Sequence, residues 1–357
     1  MKYIVLFILH AWLCYSIALA QKPRVFIYTD MSDNALPGTN HMGTINDPDD
    51  ISAMAGYLLF ANMFDTRGIV IASTHRSEHR NTPDQAIWAN QFIGDAYRAD
   101  VANLNKHIGG FPDDVLFVQS SIKETAERYN PDNIYLTLDN YPTVKLLYDE
   151  LVGSDEVINV LVWGSLTEPA ILVNYLLAHD RKDLLEKIRI ITHWTSSWFR
   201  QGTRENPEHV ANCREDAQAC HYLKMAALDG HIKYYDTSAI GEHGIVSGAP
   251  TDESYFDQFR ASNLGTMFVE GKFVRGRVDW SDAATYLVLL GDWGVSLNDV
   301  KSNGTNPPEV EQANEAAFRF WSPRVHDELL RRSNAAAGIY DVYFEGPYHL
   351  RPHFNEN

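Results

Sequence analysis

The sequence predicts an α/β fold: a doubly wound, mostly parallel sheet flanked by helices. Short apolar runs alternate with stretches of helical length through most of the chain. The runs are continuously apolar rather than alternating, as strands covered on both faces are. No tandem repeat, low-complexity tract or linker divides them, so residues 21–357 read as a single domain with a C-terminal helical extension.

Each element follows from its own residues. Val25 to Asp30 is a short apolar run closed by an acid, the first buried strand, and a Gly/Asn/Pro-rich loop carries the chain to Asp50. Ile51 to Phe64 reads as a helix, Gly68 to Ser73 as the second strand, and Asp84 to Asp100 as a helix after a polar loop. Between 101 and 142 only weaker helical patterns with Pro-marked loops are expected. Val157 to Trp163 is the third strand and Glu168 to His179 its helix; Ile188 to Thr192 and His231 to Tyr235 are the fourth and fifth strands. Helices from Asp282 to Leu290 and from Glu309 to Arg332 complete the pattern. In such sheets ligands bind beyond the carboxyl ends of the strands, which is where chemistry is expected.

Composition narrows the function classes. The 357 residues are 45% hydrophobic and 22% charged, which excludes a disordered tail, a collagen-like fibre and a small disulfide-stapled scaffold. The 30 basic and 47 acidic side chains give a net charge of −17, the wrong sign for nucleic acid or for docking on anionic lipid. A small-molecule ligand is expected instead, and a homo-oligomer is compatible with the composition. Residues 1–20 read as a signal peptide: Lys2, an apolar run to Leu19, then Ala18-Leu19-Ala20 as the cleavage box, with the exported chain starting at Gln21. A secreted or periplasmic location follows, with no membrane anchor after cleavage. Export leaves Cys213 and Cys220 in an oxidising compartment, where a local disulfide is expected. Asn303-Gly304-Thr305 is a glycosylation sequon should the source be eukaryotic.

The acids sit where the fold places ligands. Asp30 closes the first strand, Asp47-Pro48-Asp49-Asp50 opens the first helix, and Asp282 opens a late one. Each alone could be a helix cap. Together they repel one another unless a cation offsets the charge, and hard oxygen ligands suit calcium. No EF-hand alternation is present, so a calcium site would be supplied by the fold.

These residues resemble the nucleoside hydrolase superfamily. Thr29-Asp30 followed by Asp49-Asp50 is similar to that family's signature, and Gly68-Ile-Val-Ile-Ala-Ser73 to its second strand. Trp163-Gly-Ser-Leu-Thr-Glu-Pro169 resembles its Thr-Gly-x-Leu-Thr-Asn turn, Asn212-Cys-Arg-Glu-Asp216 its substrate-binding Asn segment, and Ser281-Asp-Ala-Ala-Thr285 its late Asp-bearing helix start. The long loop between Asp30 and Asp49 and the C-terminal segment with Arg319-Phe-Trp321 and Arg331 are most similar to an exported, nucleoside hydrolase-like branch sometimes labelled cellulose-binding.

The resemblance implies a calcium-dependent hydrolase of an N-glycosidic, ribosyl-type bond, acting on a nucleoside or glycoside. It implies that Asp30, Asp50, Asp282 and the Trp163 carbonyl hold Ca2+, and that metal-bound water attacks the anomeric carbon with Asp30 as base. Asp49, Asn212 and Asp282 would hold sugar hydroxyls. The family's acidic residue before the sugar-binding Asn is Val210 here, and its late His is Ser281. His193, after the fourth strand, could serve as an acid or be a packed aromatic contact; Trp194, Trp198 and Phe199 could stack on the substrate or fill the core. The rival is a non-catalytic, calcium-dependent glycan-binding protein on the same fold. His75-Arg-Ser-Glu-His79 matches an inverted zincin pattern, but its loop position denies both His one helical face.

Overall fold

The computed structural model describes residues 22–33, 47–72 and 84–339. The signal-peptide reading and the His75–His79 pattern fall outside these residues. Among them, no helix is long and apolar enough to cross a membrane.

The strands are β1 (Arg24–Thr29), β2 (Asp65–Ile71), β3 (Phe117–Gln119), β4 (Ile158–Val162), β5 (Ile188–Thr192) and β6 (Lys233–Asp236). They form one parallel sheet in the order β3-β2-β1-β4-β5-β6. A separate antiparallel pair joins β7 (Phe273–Val274) to β8 (Arg277–Val278). The helices are α1 (Pro48–Leu59), α2 (Gln85–His107), α3 (Pro142–Val152), α4 (Thr167–Ala178), α5 (Lys182–Leu185) and α6 (Ala211–Glu215). After them come α7 (Ala217–Leu228), α8 (Glu253–Asp257), α9 (Asn263–Gly271), α10 (Ala284–Leu290) and α11 (Pro308–Ala336).

Period-two alternation divides the core. Val25 and Ile27 of β1 pack with α1, α2, α9, α10 and α11 on one face, while Phe26 and Tyr28 pack with α3, α4 and α7 on the other. Helices on both faces explain the continuously apolar strands. The sequence reading missed β3, because its three residues are too short a run to signal a strand. Much of 101–142 is irregular or strand rather than weakly helical; α2 extends to His107 and α3 starts only at Pro142.

The strand order fixes where a site belongs. From β1 the chain builds outward through β2 to β3, then returns beside β1 with β4 and builds the other way. The carboxyl ends of β1 and β4 are therefore the topological switch point. Asp30 follows β1 directly and Trp163 follows β4, with the Trp163 N–H donating to the Tyr28 carbonyl (2.9 Å).

Candidate functional site

Backbone geometry draws the acids together at this switch point. α1 begins with Pro48, which needs no N–H partner at a helix start, so Asp49 and Asp50 occupy the first turn near the positive end of the helix. The Asp30 N–H donates to Asp50 Oδ2 (2.9 Å), and Thr29 Oγ1 donates to the same oxygen. Gly164 packs against the Asp30 carboxyl so closely that a Cβ would occupy the carboxyl's place. Asp282 arrives on a 3₁₀ turn, Ser281–Ala283. Thr285 Oγ1 fixes that turn by donating to the Asp282 carbonyl (2.8 Å) while accepting from Trp163 Nε1 (2.9 Å).

The Asn212 amide donates to the Trp163 carbonyl (2.7 Å) and the His193 carbonyl (3.0 Å), stitching together the ends of β4 and β5. A disulfide joins Cys213, beside it on α6, to Cys220 on α7. His193 Nε2 lies 3.9 Å from Asp282 Oδ1, and its ring meets Trp194 edge-on. The structure thus gathers Asp30, Asp49, Asp50, Asp282, Trp163, Asn212 and His193. Trp194 flanks them with a left-handed backbone (φ 44°), itself edge-on to His243. Trp198 is tied elsewhere: its Nε1 donates to the Asn306 carbonyl (2.6 Å) and its backbone N–H to Glu311 on α11 (2.8 Å).

Electrostatics distinguish the acids. Burial, then the charges of Asp50, Glu215 and Asp49, push Asp30 well above the usual carboxylate range. Asp282 rises for the same reason, with burial first and Asp50, Asp49 and Asp47 after it. Burial and Asp49 push Asp50 up to about 6. Asp49 goes the other way: burial would raise it, but the Lys272 ammonium, a hydrogen bond from Asp47 and the nearness of His193 hold it at about 2. Burial lowers His193 to about 4, so its imidazole is neutral at neutral pH.

Sequence reasoning missed the counter-ion. Lys272 Nζ reaches Asp49 Oδ2 (3.1 Å) and Asp279 Oδ2 (3.0 Å), and Ser281 Oγ donates to Asp49 Oδ2 (3.3 Å). No local pattern announces Lys272; only tertiary contact between α9 and α1 places it. Glu242, in the π-helix Gly241–Val246, is linked electrostatically to this group: burial, then the charges of Asp279 and Asp49, push its pKa well above the usual carboxylate range. Of the two departures noted in the sequence, Val210 is core and Ser281 is an Asp49 partner.

The donor set suits a hard cation. Asp30 Oδ1, Asp49 Oδ1 and Asp282 Oδ1 are sealed from water without a hydrogen-bond partner, and carboxylate and carbonyl oxygens are what calcium takes. Among the described residues no three His, Cys, Asp or Glu side chains are gathered as a coordinating group. Lys272 offsets the charge of Asp49 and Asp279, while Asp30, Asp50 and Asp282 have no ion pair with a lysine or arginine among the described residues.

The family model described as cellulose-binding Sde182, nucleoside hydrolase-like domain matches residues 24–233. No curated protein matches the chain. A nucleoside hydrolase-related hypothetical protein from Saccharophagus degradans, associated with carbohydrate metabolism, superposes with a TM-score of 0.55 at 14% identity, over 88% of this chain and 72% of that one. An inosine-uridine preferring nucleoside hydrolase from Bacillus anthracis matches with a TM-score of 0.44 at 12% identity, over 76% of this chain and 83% of that one.

Proposed function

The chain belongs to the cellulose-binding Sde182, nucleoside hydrolase-like family, and from that premise we propose that it is an exported, calcium-dependent glycosidase. Its substrate would be a nucleoside or related glycoside, cleaved at an N-glycosidic bond. The observation that carries this reading is the convergence of Asp30, Asp49, Asp50 and Asp282 at the switch point, with buried oxygens that no donor satisfies. A scaffold does not need that arrangement, since each unsatisfied buried carboxylate oxygen is destabilising.

Asp30, Asp50, Asp282 and the Trp163 carbonyl would hold Ca2+. Calcium, when bound, would orient a water, lower its pKa and offset the acids' mutual repulsion. Asp30 would accept the proton that the attacking water gives up. Asp49, kept ionised by Lys272, would accept hydrogen bonds from sugar hydroxyls and favour the positive charge that develops at the anomeric carbon. Asn212 would hold another hydroxyl through its oxygen, its nitrogen being committed to the Trp163 and His193 carbonyls. His193 would border the site beside Asp282. Trp194 would border the leaving group.

The test is reducing-sugar release from a panel of nucleosides and glycosides, with and without chelator. Release that stops on calcium removal and returns on its addition supports the proposal. A second reading, a non-catalytic calcium-dependent glycan binder, is favoured by the family's cellulose-binding description. Calcium-dependent retention on cellulose with no sugar release across the panel would establish the binder instead.

A further inference from the structure

A glycosidase needs an acid as well as a base, because a leaving nitrogen or oxygen must be protonated as its bond to carbon breaks. Position 281, where the resembling family carries a His, is Ser here, and its hydroxyl is committed to Asp49. His193 faces Asp282 and packs on Trp194. The element that remains is the π-helix Gly241–Val246, a rare geometry often found at functional sites.

That helix is locked on both sides. Gly241 lies so close to the Ser281 carbonyl that a Cβ would collide with it, which seats the helix directly on the Asp282 turn. On the other side, Arg319 of α11 donates to the His243 carbonyl (2.7 Å) and Ser322 Oγ to the Ile245 carbonyl. Ser247 Oγ donates to the Glu242 carbonyl (2.6 Å). The Glu242 carboxyl feels the charges of Asp279, Asp49 and Lys272, and its Oε2 is buried without a partner. Asp49 is the neighbour that Glu242 and Asp30 share. Glu242 thus follows a residue seated on the Asp282 turn, and the next residue, His243, meets Trp194 edge-on at the rim of the acid cluster.

We propose that Glu242 is the catalytic acid that protonates the leaving group of the bound glycoside. The inference rests on the hydrolase reading of the same site. In the step, the bond from the anomeric carbon to the leaving atom breaks while the water oxygen bonds to that carbon. Glu242 gives its proton to the leaving atom and Asp30 takes one from the water. Exchange with solvent then returns a proton to Glu242 and removes one from Asp30, so the net reaction consumes one water. Burial, Asp279 and Asp49 favour the neutral carboxyl; Lys272 opposes them. Around His243, Arg200 and Arg319 supply positive charge and Glu315 negative. These surroundings favour the protonated form that a general acid needs.

The experiment compares the parent with Glu242→Gln on a series of aryl ribosides whose phenols span poor to good leaving groups. With an acid removed, the loss should grow with phenol pKa: a few-fold for 4-nitrophenyl and on the order of 10²–10⁴-fold for unsubstituted phenyl. The alkaline limb of kcat/KM should also disappear. An equal loss across the series, or none, overturns the role for Glu242 while leaving the hydrolase reading intact. A parent inactive on the whole series, 4-nitrophenyl included, overturns both.

Discussion

Asp216 and Asp282 both lie at the carboxyl end of the sheet, and each residue is 2% exposed, yet their surroundings treat them oppositely. Asp216 Oδ2 accepts from the Leu166 N–H (2.9 Å) and Thr167 Oγ1 (2.9 Å), closing the start of α4. Asp236 is similarly served, by the Thr195 and Ser238 N–H groups and by Ser196 Oγ. Asp282 Oδ1 has no donor and shares its space with other acids. Two buried histidines repeat the contrast. His326 donates from Nδ1 to the Ser322 carbonyl (2.9 Å) and accepts at Nε2 from Trp280 (3.1 Å), whereas His193 Nδ1 has no partner. One region has its polar groups satisfied and supports the structure; the other leaves them unsatisfied, where a cation and a substrate would satisfy them.

The largest expected effect breaks the unsatisfied side. Asp30→Asn keeps an oxygen of the same size but removes the proton acceptor, so turnover should fall on the order of 10²–10⁴-fold. Calcium stoichiometry should fall less than in Asp50→Ala, which deletes a ligand outright. Equal hydrolysis by Asp30→Asn and parent would remove the base assignment. The opposite substitution probes the satisfied side: Asp216→Ala strands the donors of Leu166 and Thr167 and should lower unfolding stability by about 3 kcal/mol. A urea midpoint unchanged from the parent would contradict that.

How much of this contrast could be read from the sequence depends on how far apart the partners are. Asp30 at a strand end and Asp49-Asp50 at a helix start are local features, and both were legible. Asp282 was legible as an acid at a late helix start, but its partnership with the others came only through resemblance. Lys272, Glu242 and Asp279 carry no local signal, because their roles exist only once α9, the π-helix and α1 meet. His326 was invisible for the same reason: it lies 46 residues from Trp280, in an aromatic nest with Phe256 and Phe268. The nest joins α11 to Trp280, which directly precedes the turn that bears Asp282.

His326 gives the contrast a pH dependence. Burial lowers its pKa from 6.5 to about 4, so the unfolded chain binds the extra proton between these values and the folded chain does not. The contribution is present above pH 6.5 and is lost as pH falls through about 4, up to about 3 kcal/mol. His326→Gln keeps a hydrogen-bonding side chain but does not titrate. Its stability curve should be flatter than the parent's over that window, and parallel curves would show that His326 carries none of the loss.

The smallest expected effect sits where the two regions join. The Cys213–Cys220 bridge ties α6, which carries the site residue Asn212, to α7, which packs in the supporting core. Closing so short a loop restricts the unfolded chain modestly, so reduction should lower stability by only about 2–3 kcal/mol. Its effect on the site should be distinct. Freed from the bridge, α6 keeps Asn212 only through the Trp163 and His193 carbonyls, and a sugar held by Asn212 loses its fixed partner. The Cys213→Ser/Cys220→Ser double variant should therefore raise KM several-fold with little change in kcat, because Asp30 and Glu242 lie on other elements. A fall in kcat with KM unchanged would show that the bridge supports the reacting carboxyls rather than the sugar contact.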